Sequence, residues 1–346
     1  MKRRNKLISL LLGIILIFSL VGCSKNSNNT TPLSKTEYFM GTVVTVTLYD
    51  NKDEKIINKA FDEVKKIEQL VSINMEGTEL DEVNANAGIK PVKVSNDTYD
   101  IIKKGLEYSK LTNGSFDITI GPIVKLWSIG LPEAKVPTND EIKEKLKYIN
   151  YNDVEINDND HTVFLKKPGM IIDLGGIAKG YTADIISQTL KNEGVEKAII
   201  DLGGNIYALG EKDKNTLWRI GIQNPDQTRG EIIGSITVKN KSIVTSGIYE
   251  RFIENDGKRY HHILSPETGY PYENDIAGVT IISDKSIDGD ALSTSVFSMG
   301  INKGLEFVNS LPDIEAIFIT KNQEIYLTEG AQEIFKLTNT DFKIMN

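Results

Sequence analysis

Asp288-Gly-Asp-Ala-Leu-Ser-Thr294 reads as the opening of a helix. In a helix, Asp290 and Thr294 are four apart and lie on one face. A carboxylate and a hydroxyl there form a hard oxygen pair suited to Mg²⁺, which keeps several waters and shares phosphate oxygens. The same residues also suit N-terminal capping by Asp288 or Asp290, with Thr294 packed in the core. Gly175-Gly-Ile-Ala-Lys-Gly180 is a glycine-rich opening to another helix, where backbone amides suit a phosphate. It is not a Walker A loop, because the lysine precedes the last glycine and no Ser or Thr follows in place. Lys179 either meets a phosphate or is solvated. Tyr260-His-His-Ile-Leu-Ser-Pro-Glu-Thr-Gly-Tyr-Pro271 places two of the three histidines ahead of a Pro/Gly turn. Neighbouring side chains on a strand face opposite ways, so one of His261 and His262 faces a site and the other faces away. A histidine at a site can act as base, acid or hydrogen-bond donor. His161 lies in a charged surface stretch.

Two further patterns bear on a site. Asn113-Gly-Ser-Phe-Asp-Ile-Thr-Ile-Gly-Pro122 with Trp127 sets a carboxylate and two aromatics around a turn. Phe116 and Trp127 suit stacking on a flat ring, or ordinary core packing. Ile171-Ile-Asp-Leu-Gly-Gly176 recurs identically as Ile199-Ile-Asp-Leu-Gly-Gly204. Each copy reads as a buried strand end, an acid and two glycines, where positive φ and close approach of a ligand are allowed.

The elements that must position these residues follow from periodicity. Thr42–Tyr49 is β-branched and alternating, so a strand is expected. Ile56, Ile57, Ala60, Phe61, Val64, Ile67, Leu70 and Val71 follow helical spacing. A second helix is expected from Asn96 to Leu111, stopped by Asn113-Gly114. Leu131–Asn150 is polar and holds a short surface helix. From Val154 onward strands and helices alternate without a βαβ period, which predicts an α+β fold of mixed sheets with packed helices.

At 346 residues and 40% hydrophobic content the chain can bury a sizeable core. Its net charge of −8 argues against nucleic-acid binding, which needs a basic face. The one cysteine, Cys23, excludes zinc ribbons, iron–sulfur clusters and CxxC redox chemistry. Lys2, Arg3, Arg4 and Lys6 precede an apolar run, Leu7–Val21, that ends in Leu20-Val-Gly-Cys23. That pattern predicts a lipoprotein signal peptide over 1–22, with lipid added at Cys23. A flexible polar tether then covers 23–35 and one catalytic domain covers 36–346. The body is expected outside the cytoplasm, lipid-anchored to the bacterial cell membrane.

Taken in order, these motifs resemble the ApbE family of flavin transferases. The resemblance runs through Cys23, Met40-Gly-Thr42, Gly114-Ser-Phe-Asp117 with Gly121-Pro122 and Trp127, and Asp173-Leu-Gly-Gly-Ile-Ala-Lys-Gly-Tyr181. It continues through Asp201-Leu-Gly-Gly-Asn205, His262-Ile-Leu-Ser-Pro-Glu-Thr-Gly269 and Asp290-Ala-Leu-Ser-Thr294. It implies an ApbE-like fold. It implies Mg²⁺-dependent transfer of FMN from FAD, through its phosphate, to a Thr or Ser hydroxyl of extracytoplasmic flavoproteins of the Nqr/Rnf or related electron-transfer type, with release of AMP. For FAD it implies Met40, Ser115, Phe116, Asp117, Asp173, Lys179 and Leu264. For Mg²⁺ it implies the Ala178 carbonyl, Asp290 and Thr294, and for catalysis His262. Ser265, Glu267 and Gly289 depart from the common family pattern. The rival expectations are a Mg²⁺-dependent FAD pyrophosphatase giving FMN and AMP, and a lipoprotein that only binds a solute.

Overall fold

The computed structural model describes residues 31–345. The expected signal peptide, Cys23 and most of the tether lie outside the described residues. Leu33–Phe39 is already a strand, paired along its whole length with Thr42–Leu48. The folded chain therefore starts ahead of residue 36, the expected boundary. Met40 and Gly41 join the two strands with φ of 52° and 69°. This is the two-residue hairpin geometry that matches strand twist.

The α+β expectation holds. Nine strands form one sheet, and their order across the sheet is their order along the chain. Leu33–Phe39 and Thr42–Leu48 are followed by Ala198–Leu202, Asn205–Leu209, Lys241–Gly247, Ile276–Ser283, Glu315–Thr320, Glu324–Leu327 and Lys343–Ile344. Every neighbouring pair is antiparallel except the last. Helices Glu54–Val71, Ala178–Asn192 and Ser286–Met299 supply apolar residues to the cores on one face. The small sheet Trp218–Gln223, Ile232–Val238 and Phe335–Leu337 closes the other, with Trp218, Ile220 and Ile236 clustering with Ile243, Ile282 and Ile317. Ile276–Ser283 is covered on both faces and all eight of its residues are buried. The helical spacing read from Ile56 to Val71 is the buried stripe of Glu54–Val71, which Asp53 caps by accepting from the Lys55 amide. The second expected helix spans Asn96–Leu111, and Asn113 and Gly114 leave it with positive φ. Thr138 and Glu141 form a capping box on the surface helix Asn139–Leu146.

The identical hexapeptides fold differently. Ile199–Gly204 is a strand running into a tight turn, where Gly203 and Gly204 take φ of 67° and 98°. A Cβ on Gly203 would stand 1.9 Å from Thr42 Oγ1, so only glycine fits. Ile171–Gly176 makes a single bridge, from Ile171 to Ile120, and turns into the helix Ala178–Asn192 without positive φ at either glycine. The expected second strand end is therefore absent. The difference lies in the residues after each copy: Asn205-Ile-Tyr continues as strand, whereas Ile177-Ala-Lys starts a helix.

Ser286–Met299 is the central helix of the site. It is buried nearly all round, as its lack of a polar face requires. Its first two amides, at Ser286 and Ile287, donate to the carboxylate of Asp184 on the neighbouring helix, at 2.7 and 3.0 Å. Burial raises the Asp184 pKa to about 6. The two helices meet at Gly180, where a Cβ would stand 2.3 Å from the Ser286 carbonyl oxygen. Gly180→Ala is expected to push the helices apart and lower stability by roughly 1–3 kcal/mol. Chemical denaturation measures this, and an unchanged midpoint would show that the contact relaxes freely.

Candidate active site

Ser286–Met299 and Ala178–Asn192 cross so that their chemistry-bearing residues meet. Asp290 is 5% exposed. Its Oδ2 accepts from the Gly180 amide at 2.9 Å, and its Oδ1 lies 3.6 Å from Lys179 Nζ. Lys179 also donates to the Gly175 carbonyl at 3.0 Å. Thr294 Oγ1 is 3.4 Å from Ser246 Oγ on the strand Lys241–Gly247. Asp288 takes no part: it accepts from Tyr108 Oη at 2.6 Å and pairs with Lys104. The capping reading of Asp290 and Asp288 gives way to this arrangement, because Asp184 supplies the cap.

The glycine-rich stretch is not a row of free amides. Gly175 donates to Asp173 Oδ1 at 2.6 Å, Ile177 and Ala178 donate to the Leu174 carbonyl, and Gly180 donates to Asp290. The expected amide cradle for phosphate is thus largely used internally, and handling of an anion falls to cationic side chains. Lys179 is one. Arg251 is another, and it has no ion-pair partner among the described residues.

A cleft of about 240 Å³ runs between these helices, the strand Lys241–Gly247 and the segment Arg251–Pro266. It brings together Ser115, Phe116, Asp117, Asp173, Lys179, His262, Leu264, Asp290 and Thr294, nine of the expected site residues. Met40 and Ala178 instead line an adjoining cleft of about 870 Å³. The two clefts share Val124, Ile129, Asp173, Gly175, Lys179 and Arg251. Met40 is held by its amide on Glu68 and by Thr182 Oγ1, 3.5 Å from its sulfur. The Ala178 carbonyl accepts from Thr182 Oγ1 at 2.7 Å and, at the first residue of its helix, also faces the Thr182 amide.

The turn after Asn113 supplies the apolar end. Phe116 lines the cleft and packs over Gly176, where a Cβ would come within 3.1 Å of the ring. Trp127 does not reach it. Its indole is fully buried and donates to the Gly269 carbonyl at 2.8 Å, so it is core and the stacking role falls to Phe116. Asp117 has its oxygens engaged by the Thr119 amide and hydroxyl and by the Tyr151 amide. Those bonds make it the organiser of the turn. Burial raises the pKa of Asp117 and of Asp173.

The two histidines face opposite ways, His261 at the end of the strand Lys258–His261 and His262 just beyond it. His261 faces away from the cleft, with Nε2 3.0 Å from the Tyr272 carbonyl and its ring edge-on to Phe297. His262 faces the cleft. Its Nδ1 lies 3.2 Å from the Arg251 carbonyl, which assigns the proton to Nδ1 and leaves Nε2 free to accept. Burial among protein atoms lowers the His262 pKa to about 3, and the Arg251 guanidinium adds to the effect. His261 is lowered to about 4, again chiefly by burial.

Among the described residues no group of three or more His, Cys, Asp or Glu forms a metal cluster. One buried carboxylate, a hydroxyl and a carbonyl suit a cation that fills its remaining positions with water and substrate oxygens. That donor set fits Mg²⁺. Lys179 supplies positive charge beside Asp290. Sequence reasoning missed Arg251, because an arginine between a strand and a hairpin carries no spacing signal.

A model of the ApbE family matches residues 40–318. The chain is 38% identical over 307 residues to an FAD:protein FMN transferase of Klebsiella pneumoniae, covering 89% of this chain and 95% of that one. It is 35% identical over 326 residues to an FAD:protein FMN transferase of Treponema pallidum, covering 89% and 90%. The crystal structure of the ApbE protein of Thermotoga maritima superposes with a TM-score of 0.80 at 32% identity, over 88% of this chain and 99% of that one. The flavin transferase ApbE of Vibrio cholerae gives 0.77 at 27%, over 88% and 99%.

Proposed function

The chain belongs to the ApbE family, and from that premise we propose that it is a Mg²⁺-dependent FAD:protein FMN transferase whose acceptor is a Thr or Ser hydroxyl of an extracytoplasmic flavoprotein. One observation carries the reading: a single cleft joins a hard-oxygen pair, two cations, an acceptor imidazole nitrogen and an aromatic wall. Phe116 and Leu264 give the flavin ring an apolar surface, with Ser115 and Asp173 at the polar edge. Lys179 and Arg251 stand where the two clefts join and hold the phosphates that link the halves of FAD. Met40 borders the second cleft, on the far side of that junction. Asp290, Thr294 and the Ala178 carbonyl would hold Mg²⁺. When bound, the metal neutralises charge on the phosphate oxygens.

His262 Nε2 takes the proton of the acceptor hydroxyl. The hydroxyl oxygen bonds to the FMN phosphorus as the bond from that phosphorus to the bridging oxygen breaks, and AMP leaves with that oxygen. The reaction is tested by incubating residues 24–346 with FAD, Mg²⁺ and candidate acceptor domains of the Nqr/Rnf type. In-gel flavin fluorescence on the acceptor and equimolar AMP are expected. Free FMN with no labelled protein would mean that water is the acceptor and that the enzyme is a pyrophosphatase.

Placement at the membrane rests on Leu20-Val-Gly-Cys23. Cys23→Ala is expected to abolish lipidation and to shift the protein out of the membrane fraction, while the soluble domain keeps its activity. Unchanged fractionation and unchanged mass would remove the lipid anchor from the proposal.

A further inference from the structure

We propose that Asn205 is a substrate-contacting residue of this cleft, whose side-chain amide donates to a phosphate oxygen of FAD beside Asp290 and Thr294. The inference rests on the flavin-transfer reading above. Asn205 is 2% exposed and lines the cleft. Its Oδ1 accepts from Ser286 Oγ at 2.6 Å, and Ser286 accepts in turn from Ser242 Oγ at 2.9 Å. This relay fixes the plane of the amide. Its Nδ2, by contrast, has no hydrogen-bond partner among the described residues. Folded proteins rarely leave a buried donor unmet, and those that persist call for an explanation in function. Ser187 Oγ and Tyr249 Oη share this state, but neither residue lines the cleft.

The position points to a phosphate oxygen. Ser286, Asp290 and Thr294 are spaced by four and share one face of their helix. Thr294 reaches Ser246, and Ser286 reaches Asn205 and Ser242. Asn205 is paired with Val244 on the same strand that carries Ser246. Asn205 therefore stands about one helical turn, roughly 6 Å, before Asp290 along the helix. The Gly203-Gly204 turn delivers it there, since the strand resumes at Asn205 directly after the two positive φ values. A neutral donor held rigid at that point meets an anionic oxygen without needing a counter-ion of its own.

The test compares Asn205→Ala with Asn205→Asp. FAD affinity is read by flavin fluorescence in Mg²⁺ and in EDTA, riboflavin affinity serves as the phosphate-free control, and melting is followed without ligand. A hydrogen bond to a charged group is worth roughly 10–100-fold in affinity, which is the loss expected for Asn205→Ala. Asn205→Asp keeps the acceptor for Ser286 but turns a negative charge toward the phosphate, and the ligand-free melting curve reads what that buried charge costs in stability. It is expected to bind FAD more weakly than Asn205→Ala does, with riboflavin unaffected in both variants. If Asn205→Asp bound FAD as the unaltered protein does while Asn205→Ala did not, the amide would serve only to hold Ser286, and the proposal would fall. Equal losses for riboflavin and FAD would also overturn it. Failure of the unaltered protein to bind FAD would instead strike the flavin-transfer reading itself.

Discussion

Asp290→Ala is expected to lower FAD turnover by at least roughly a thousand-fold, since the charge stabilisation a bound metal supplies is worth several kcal/mol. The substitution removes the one carboxylate of the proposed donor set. It also leaves the Gly180 amide without its acceptor and Lys179 without its neighbouring carboxylate. Asp290→Asn separates these effects, because it keeps the shape and an oxygen for Gly180 while losing the charge. It should therefore fold as the unaltered protein does and still be inactive at limiting Mg²⁺. Thr294→Val should cost less, because a neutral ligand is lost and the shape is kept. Turnover measured against Mg²⁺ concentration decides the matter, and normal activity of Asp290→Asn at limiting metal would remove the metal assignment.

His262→Ala is expected to slow single-turnover transfer by roughly 10²–10⁴-fold while FAD still binds. His261→Ala should mainly lower stability, since that ring packs on Phe297 away from the cleft. The pH profile is set by the environment of His262. An unperturbed histidine would make the rate rise with pH between 6 and 7, as protons leave the base. Here burial and Arg251 disfavour the imidazolium, so the pKa lies at about 3 and the ring is already neutral at pH 5. No histidine inflection is then expected between pH 5 and 8 in kcat/KM. The phosphates of bound FAD oppose Arg251, so any inflection in kcat lies at higher pH than in the free enzyme. A rate that rises tenfold per pH unit through 6 and 7, and loses that rise in His262→Ala, would contradict the lowered imidazole pKa. Loss of FAD binding with normal chemistry would make His262 a ligand contact instead.

Much of the fold was legible from local pattern. The bounds of Asn96–Leu111 and the buried stripe of Glu54–Val71 follow from apolar spacing and turn residues, which act over a few positions. The opposite facing of His261 and His262 is what strand alternation predicts, although His262 stands one residue past its strand, tied by its amide to the Arg251 carbonyl. What could not be read depends on contacts between distant segments. The cap on Ser286 comes from Asp184, on another helix, so a capping role assigned to nearby acids was misplaced. The Gly180 amide is claimed by Asp290, which closed the expected phosphate cradle. Trp127 is core because Gly269 receives its indole proton, across a separation that no window of sequence spans. The two identical hexapeptides diverge because the residues after them, not the repeat, set the conformation.

The sheet keeps its strands in chain order, and this bears on how the protein reaches its working form. Pairings such as Leu33–Phe39 with Thr42–Leu48 close over a two-residue turn and lose little chain entropy. The pairing of Thr42–Leu48 with Ala198–Leu202 must instead close over everything between Leu48 and Ala198, at a cost that grows with loop length. Met40, Phe116 and Lys179 lie before or inside that excursion, and His262 and Asp290 lie after it. No subset of early hairpins therefore contains a binding site. Capture of a flavin therefore reports that this long-range strand pairing has already formed, and a chain that lacks it has nothing with which to engage the nucleotide.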